Sequence, residues 1–463
     1  MQSDPFPAGS PGPMQHATAN AVRPRLGRKA LVVAALTLAL LIPLAMINGT
    51  ISERINYRQQ AVTAVAESFA GPQVLAGPVL VVPYTEVVQV QDKDAFGKPV
   101  WREVRSAHRW TIFPDVMSVQ GKLVPAVRKR GLHEVRVYEF QSTVRAHFEK
   151  ALPDDPGAIR TLGRPYLSIS IADVRGLVGT PTLTRDRAPL RLEQGLGGHR
   201  EGTGLHASLA PMASGQTLRF DVEMKSSIAG TESLAIAPIA DSNHVALESS
   251  WPHPQFAGRF LPRSRQIAGT GFRAQWDISS LAAGSQVQYL QGGGNGLDAL
   301  QVGLVEPVNS YSQADRASKY GILFVLLTFV GFFMFELLKR LAIHPIQYLL
   351  VGLALAIFFL LLLSLSEHLA FWIAYLIASV ACIGLLAVYL SAVLRSKSRG
   401  IGFAAALTLL YAALYGLLVS EDNALVLGSL MLFAILAGLM LVTRRVDWYA
   451  PGTGDAGQVS PAR

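Results

Sequence analysis

The apolar runs of this chain are spread unevenly, and their placement constrains the fold more than any other feature. Crossing about 30 Å of hydrocarbon takes roughly 20 helical residues. Six runs are long and apolar enough, at residues 30–48, 320–338, 345–364, 371–394, 401–419 and 424–442. One lies near the N-terminus and five lie in the last third, with mostly polar residues between them. The sequence therefore predicts one N-terminal transmembrane helix, a large exported domain at 50–319 and a C-terminal bundle of five transmembrane helices.

Composition and the chain ends agree with a membrane protein. Of the 463 residues, 50% are hydrophobic and only 16% are charged, which is too apolar for an ordinary soluble chain. Residues 1–29 are predicted to be a disordered cytoplasmic tail with a basic anchor, and residues 443–463 a second cytoplasmic tail. The first apolar run is longer than a usual signal-peptide core and lacks an A-x-A-like site, so an uncleaved anchor is favoured over a cleaved signal.

The orientation of the spans follows from their flanking Lys and Arg residues, which concentrate on the cytoplasmic side. The basic clusters are Arg23, Arg25, Arg28 and Lys29; Lys339 and Arg340; Arg395, Lys397 and Arg399; and Arg444 and Arg445. The alternate connections, "SLSEHLAF" and "VSEDNAL", contain neither Lys nor Arg. All four clusters predict that both termini are cytoplasmic and that the exported domain lies outside.

The formal net charge of +9 comes in large part from these anchors. Residues 50–319 carry 29 Lys and Arg against 25 Asp and Glu, and the rest of the chain carries 12 against 7. No stretch interleaves basic and aromatic residues as a single-strand binder would, so nucleic acid is not an expected partner. The expected partner is the lipid bilayer.

The exported domain has the alternation of β-strands. In "TLRFDVEMK" and "GFRAQWDIS", apolar and polar residues alternate with a period of two, as half-buried strands require. We expect a β-rich, antiparallel, sandwich-like domain. The only cysteine of the chain, Cys382, lies in the fourth span. The exported domain therefore has no disulfide and needs a sizeable apolar core instead. The Gly-rich region 176–216 is predicted to form long loops or an insertion.

The margins of this domain are predicted to be helical collars. Apolar residues recur at helical spacing in "ISERINYRQQAVTAVAESF", so the first span should continue outward as an amphipathic helix, with a mild kink at Pro43. Before the second span, Asp315 and Lys319 form an i,i+4 pair. We expect the two collars to pack together.

Motifs that carry chemistry are missing from the sequence. There is no G-x-S-x-G, S-x-x-K, H-E-x-x-H, paired C-x-x-C or phosphate loop. His244 and His253 fall at no metal-ligand spacing, which favours solvated or hydrogen-bonded histidines. We therefore predict no catalytic, cofactor-binding or metal-binding residues and no cofactor.

The candidate functional residues lie at the edges of the spans. Glu336 precedes Lys339 and Arg340, so it can snorkel or pair with them, and His344 is expected at the cap of a helix that starts with Pro345. The alternative is an intramembrane site made of Glu336, His344 and Gln347.

Glu367 and His368 follow Ser366 in a tight outer turn. An acidic first helical turn is favoured by the helix dipole, and "SED" at 420–422 repeats the arrangement. A capping role is favoured over a chemical one for both residues.

Several ordered segments carry a family resemblance. "ISERINYRQQAV", "AGPQVLAGPVLVVPY", "RASKYGILFVLLTFVGFFMFE" and "IHPIQYLLVGLALAIFFLLLLSLSEH" resemble segments of the CreD family of bacterial inner-membrane proteins. The resemblance covers residues from about 30 to 445, without the tail before 23 or the region near 176–216. It implies a protein of the Gram-negative inner membrane with a periplasmic domain, supporting cell-envelope integrity and stress response under the CreBC two-component system. It supplies no catalytic residues.

Three functional classes stay open. The leading one is a non-enzymatic protein whose exported domain engages unidentified envelope proteins or cell-wall components. The alternatives are a proton-coupled transporter or channel in the helix bundle, and an envelope hydrolase with an unrecognised site. The sequence does not determine the oligomeric state.

The predicted topology can be tested by thiol labelling. In a Cys382→Ser background, single cysteines replace Arg200, Lys397 or Asp422. An impermeant thiol reagent applied to intact spheroplasts is expected to label positions 200 and 422 only. Labelling at 397 would contradict the proposed orientation.

Overall fold

A computed structural model gives the fold of most of the chain. It describes residues 23–93, 96, 98–154, 159–198, 202–292, 296–304, 310–339, 343–394, 396–420 and 424–444. The chain divides into two compact units, and each is described by itself. The helical unit comprises Met1–Ile55 with Val308–Arg463, and the β-rich unit comprises Asn56–Pro307.

Long apolar helices form the helical unit. The helices of the described chain, with α3 lying in the β-rich unit, are α1 (Arg23–Ala39), α2 (Leu41–Ser68), α3 (Ser285–Leu290), α4 (Ser310–Lys319), α5 (Gly321–Lys339), α6 (Pro345–Ser366), α7 (Phe371–Val393), α8 (Lys397–Val419) and α9 (Ala424–Thr443). Within the described ranges, five helical stretches are long and apolar enough to cross a membrane, and residues 425–438 of α9 form a shorter apolar helix. The predicted class, one N-terminal apolar helix, a large β-rich region and a bundle of apolar C-terminal helices, is confirmed, with four or five such C-terminal helices in the described chain.

The first span breaks close to the proline that the sequence singled out. Leu40 interrupts the helix between α1 and α2, three residues before Pro43. A proline lacks the N–H that would bond the carbonyl four residues earlier, here Ala39, and its ring crowds that carbonyl. The interruption therefore lies where the ring of Pro43 displaces the chain.

The predicted helical collars are present before and after the β-rich unit in the sequence, as the end of α2 and as α4. Helix α2 continues to Ser68, as expected from its apolar spacing. In α4, Lys319 Nζ donates to Asp315 Oδ2 at 2.6 Å, which confirms the predicted pair. Ser318 donates a hydrogen bond to the side-chain oxygen of Asn48 at the end of the first span. Ile51 of the first collar lies in the same buried apolar cluster as Ala314 and Ala317 of the second.

A cluster of rings fills the centre of the helical unit. The ring of Tyr411 in α8 lies 4.6 Å from Phe324 and 4.7 Å from Phe358, both edge-on. Helix α6 also passes very close to the break in the first span, since a Cβ at Gly352 would lie 2.1 Å from Leu40 Cδ1. Only glycine permits that approach.

Two sheets make up the β-rich unit. The nine-stranded sheet has the order β14-β17-β12-β1-β6-β10-β9, with β2 and β5 also pairing with β1, and the eight-stranded sheet has the order β15-β16-β13-β3-β4-β11-β7-β8. The strands of the first sheet are β1 (Gln73–Lys93), β2 (Pro99–Ile112), β5 (Ile159–Leu162), β6 (Tyr166–Ile171), β9 (Glu193–Gln194), β10 (Gly204–Ser208), β12 (Ser233–Ile236), β14 (Pro254–Gly258) and β17 (Leu300–Leu304). Those of the second are β3 (Val116–Arg130), β4 (His133–Ala151), β7 (Leu177–Arg185), β8 (Ala188–Leu190), β11 (Thr217–Thr231), β13 (Ser242–Ser249), β15 (Ser264–Ala268) and β16 (Gly271–Ser279).

The prediction of antiparallel sheets needs a correction. Most neighbouring strands are antiparallel, but β1 pairs with β12 in parallel and β3 pairs with β13 in parallel. Both sheets are therefore mixed. The alternation that the sequence shows fixes which face of a strand is buried, and it carries no information on the direction of the neighbouring strand.

The prediction of loops or an insertion at 176–216 was wrong for the parts of this region that form strands. Strand β7 pairs with β11 inside the second sheet, and β10 pairs with β6 inside the first. The register of β7 shifts between Val178 and Thr182, around Gly179 with a φ of 70°. A bulge of this kind breaks the period of two, so the strand is hard to recognise from its sequence.

An apolar core without cysteines lies between the sheets, as the sequence required. Leu218, Phe220, Val222 and Met224 all point inward from β11, and Phe220 stacks on Phe148 with ring centroids 4.9 Å apart. A second cluster surrounds Trp276, whose indole N–H donates to Phe260 O at 3.1 Å.

A buried polar side chain fixes the start of β1. Gln73 Nε2 donates to Asp173 O at 3.0 Å and to Ala229 O at 2.9 Å, and its Oε1 accepts the Asp173 N–H at 3.2 Å. Asp173 in turn accepts the Gly71 N–H and the Arg175 guanidinium. The hydrogen bonds from Arg175 lower the pKa of Asp173 to about 2. This network joins the first strand to β11 and to the turn after β6.

The packing between β3 and β4 yields a stability prediction. A Cβ at Gly121 would lie 2.1 Å from Phe140 Cε2, and Phe140 is fully buried. Gly121→Ala should therefore destabilise the β-rich unit by roughly 1–3 kcal/mol, because the ring has to shift within a packed core. The matched control is Gly269→Ala, whose Cβ meets nothing within 4 Å. Equal melting temperatures for the two purified full-length variants would contradict the prediction.

Candidate functional site

Glu336 is buried near the end of α5. Its side chain is 7% exposed, an unusual position for a carboxylate within a membrane-spanning segment. Oε2 accepts a hydrogen bond from the Tyr348 hydroxyl at 2.7 Å, and Oε1 accepts the Ile343 N–H at 3.3 Å. Both carboxylate oxygens thus have donors from the beginning of α6 and the residues just before it.

His344 caps the next helix, as predicted. The Ile346 N–H donates to His344 Nδ1 at 3.3 Å, and the His344 N–H donates to Gln347 Oε1 at 3.1 Å. Pro345 occupies the first helical position, where its missing N–H costs nothing. The imidazole and the amide therefore bond to the backbone around the start of α6.

These contacts change the interpretation of the α5–α6 connection. The predicted partners of Glu336, Lys339 and Arg340, have side chains outside the described residues. The observed partner Tyr348 was missed, although it directly follows Gln347 and is the one hydroxyl in the first turn of α6. Glu336 accepts hydrogen bonds from Tyr348 of α6 and from Ile343 just before it, whereas His344 and Gln347 bond to the backbone at the start of α6. The hydrogen bonds of Glu336 therefore tie two successive helices together.

Glu367 does not occupy the place that the sequence predicts. It lies at the C-terminal cap of α6, whereas α7 begins only at Phe371 and has no acidic residue in its first turn. At a helix C-terminus the dipole is unfavourable for a carboxylate. Arg54 compensates, because its Nε lies 3.3 Å from Glu367 Oε1. The following residue, His368, is exposed and donates its N–H to Leu365 O. The repeated "SED" motif falls mostly outside the described residues.

Sequence reasoning missed Arg54 because it is remote in the chain. It belongs to "ISERINYRQQAV", one of the segments that carry the family resemblance, but nothing local distinguishes it from Arg58. The spacing of charges on one helix cannot reveal a partner 313 residues away.

A serine, a histidine and an aspartate meet on the second sheet of the β-rich unit. His244 Nδ1 lies 2.6 Å from Asp277 Oδ1, and its Nε2 lies 3.3 Å from Ser242 Oγ. The order of atoms matches that of a catalytic triad. However, His244 and Asp277 are exposed, and the Ser242 N–H already donates to Asp115 O at 2.8 Å, so it cannot stabilise an oxyanion. The histidine is hydrogen-bonded, as the sequence predicted.

Among the described residues, no group of three or more His, Cys, Asp or Glu side chains is arranged to hold a metal ion.

The ion pair of Arg54 and Glu367 yields an asymmetric prediction. Arg54→Gln leaves a carboxylate unpaired at the negative end of α6 and should cost about 0.5–1 kcal/mol, whereas Glu367→Gln removes that unfavourable charge and should be nearly neutral. Thermal unfolding of the two single variants and the double variant measures the coupling. If Glu367→Gln alone were the costly change, the carboxylate would instead stabilise the start of α7, as the sequence predicted.

Comparison with known proteins gives consistent matches over nearly the whole chain. A family model described as "Inner membrane protein CreD" matches residues 25–449. The inner membrane protein CreD of Escherichia coli (strain K12) is 38% identical over 417 residues, which cover 89% of this chain and 91% of the relative.

Solved structures give only distant matches. An M1 zinc metallopeptidase from Deinococcus radiodurans is 11% identical, with a TM-score of 0.20 over 41% of this chain and 42% of the enzyme. A substrate-bound mutant of an M1 zinc metallopeptidase from the same organism is 10% identical, with a TM-score of 0.20 and the same coverage. Likenesses at this level carry no argument about fold or chemistry. The family model and the relative from Escherichia coli both match most of the chain. This chain belongs to the CreD family of inner membrane proteins.

Proposed function

We propose that this protein supports the integrity of the bacterial cell envelope by contact, through a β-rich unit on the periplasmic side of the inner membrane. The orientation rests on the four clusters of Lys and Arg that flank the spans. The envelope role, and production under the CreBC system during stress, rest on the family resemblance. The relative from Escherichia coli is named for its membrane and not for a reaction, which accords with a non-enzymatic role.

The observation that carries this proposal is a ribbon of two strands, β1 and β2. The two strands pair along 14 positions, and β5 covers β1 only as far as Val87. The six outer pairs, Val88–Lys93 with Pro99–Val104, therefore have no third strand among the described residues. These pairs extend over about 20 Å.

One face of the ribbon exposes four valines together with one ion pair. Val88 lies opposite Val104, Val90 opposite Arg102 and Val100 opposite Asp92, and each valine is 41–46% exposed. Arg102 and Asp92 pair diagonally between them, with Nη1 3.6 Å from Oδ2. A two-stranded ribbon is marginally stable on its own, and exposed apolar clusters mark interaction sites. The free edges can also accept a further strand. We propose that this ribbon binds an envelope protein, because valine side chains suit a protein surface better than a glycan.

A second candidate function is a proton-coupled transporter or channel in the helical unit. The burial of Glu336 favours it, since ionisable residues inside membranes are often functional. Two observations argue against it. The carboxylate lies about one turn from the end of α5, whereas transport sites usually lie near the midplane of the bilayer. Both of its oxygens also accept hydrogen bonds, from the Tyr348 hydroxyl and the Ile343 N–H.

Rescue of a deletion strain separates the two candidates. The double change Val88→Lys with Val104→Glu removes the facing pair of exposed valines but keeps a favourable pair across the ribbon. We expect it to abolish rescue of the envelope defects at normal expression. The matched control is Gln89→Lys, which adds a charge opposite Glu103 on the other face and should keep rescue.

The same assay includes Glu336→Gln, whose amide cannot titrate but keeps the shape and an acceptor oxygen. Rescue should persist in this variant. Should Glu336→Gln be inserted, stable and inactive while the ribbon variant rescues fully, the transporter would replace the contact model.

A further inference from the structure

An apolar crevice lies within the helical unit between α5, α8 and α9. Its volume is about 670 Å³, and its walls include Gly331 of α5, Phe403 and Gly416 of α8, and Leu430 of α9. The one hydroxyl in the lining, that of Thr328, already donates to Phe324 O at 2.9 Å. The crevice therefore offers no unpaired hydrogen-bonding group of its own to water and suits a purely hydrocarbon occupant.

Glycines give the crevice its depth. A Cβ at Gly331 or at Gly416 would meet nothing within 4 Å, so empty space begins directly beyond both backbones. Since α5 and α8 belong to stretches long and apolar enough to cross a membrane and α9 contains a shorter apolar helix, we take the medium around them to be lipid, whose chains can enter the crevice.

The dimensions suit an acyl chain. From Phe403 to Leu417 the crevice follows α8 for about 21 Å. A hydrocarbon chain of the same length and about 5 Å in width occupies roughly 400 Å³, since carbon atoms pack at 3.5–4.0 Å.

A cation lies one turn before the end of the crevice. Arg399 is half-buried and precedes Phe403 by four residues, so the two share a face of α8. Arginine side chains on a helix point toward its N-terminus, away from the apolar walls and toward the level of the lipid headgroups. A guanidinium binds phosphate oxygens through two parallel hydrogen bonds.

We propose that this crevice binds one phospholipid, with an acyl chain between α5, α8 and α9 and its phosphate at Arg399. The proposal is independent of the envelope role and of the orientation of the β-rich unit, because all the residues involved lie in the helical unit.

Native mass spectrometry of the full chain tests the acyl-chain part. The protein is delipidated in mild detergent and titrated with palmitoyl-oleoyl phosphatidylglycerol. Gly331→Leu and Gly416→Leu fill the crevice and should each weaken binding of the first lipid by about tenfold or more. Gly384→Leu is the matched control, because Gly384 lies in α7, outside the crevice, and its Cβ also meets nothing within 4 Å.

A second pair of variants tests the headgroup. Arg399→Gln should weaken the phospholipid by about tenfold and leave binding of a diacylglycerol, which has no phosphate, unchanged. Lys397→Gln removes the same charge from the same helix start, but from an exposed residue off the crevice face, and should have no effect. Unchanged lipid binding in both glycine variants would overturn the proposal. So would a change of oligomeric state caused by them, since a second copy of the chain would then be the occupant.

Discussion

Hydrocarbon cannot supply hydrogen bonds, and the helical unit is arranged around that constraint. Several polar side chains on its helices donate to backbone carbonyls. Thr328 and Ser366 donate within their own helices, to Phe324 O and Leu363 O, and Tyr375 of α7 donates to Tyr411 O of α8. Glu336 is also satisfied within the protein, by Tyr348 of α6 and by the Ile343 N–H just before that helix. Because Glu336 needs hydrogen-bond donors, α5 is held against the start of α6. The same constraint explains why the crevice beside α9 is lined almost entirely by carbon.

The β-rich unit meets a different requirement, because it has no cysteine and must be held by its core and its buried polar contacts. Gln73 has both ends of its amide engaged, with backbone groups about 100 and 156 residues away. Such a network specifies one register for the long strand β1 and would be costly to leave half-formed. The start of β1 is fixed in this way and its middle is paired in the sheet. Its last residues extend beyond β5 and pair only with β2 among the described strands.

Sequence periodicity predicted the parts of this fold in which burial follows a simple rule. The apolar runs of the membrane helices were recognisable because they are continuous. Strands β11 and β16 were recognisable because buried and exposed residues alternate along them. The cap at His344 was recognisable for a related reason, since Pro345 marks the helix start. Strand β7 was not, because its bulge at Gly179 breaks the alternation. The partners Tyr348 and Arg54 were also missed. Each contributes through a contact that depends on how helices pack, and a single sequence does not contain that information.

The fit of Leu40 against Gly352 also constrains how the protein is made. The two residues are 312 positions apart, and the intervening chain contains the whole β-rich unit. At 5–20 residues synthesised per second, the first span waits roughly 15–60 s before α6 exists to receive it. During that time its break at Leu40 faces lipid, and its basic flank has to hold it in place. The segment that enters the membrane first is therefore among the last to reach its final packing.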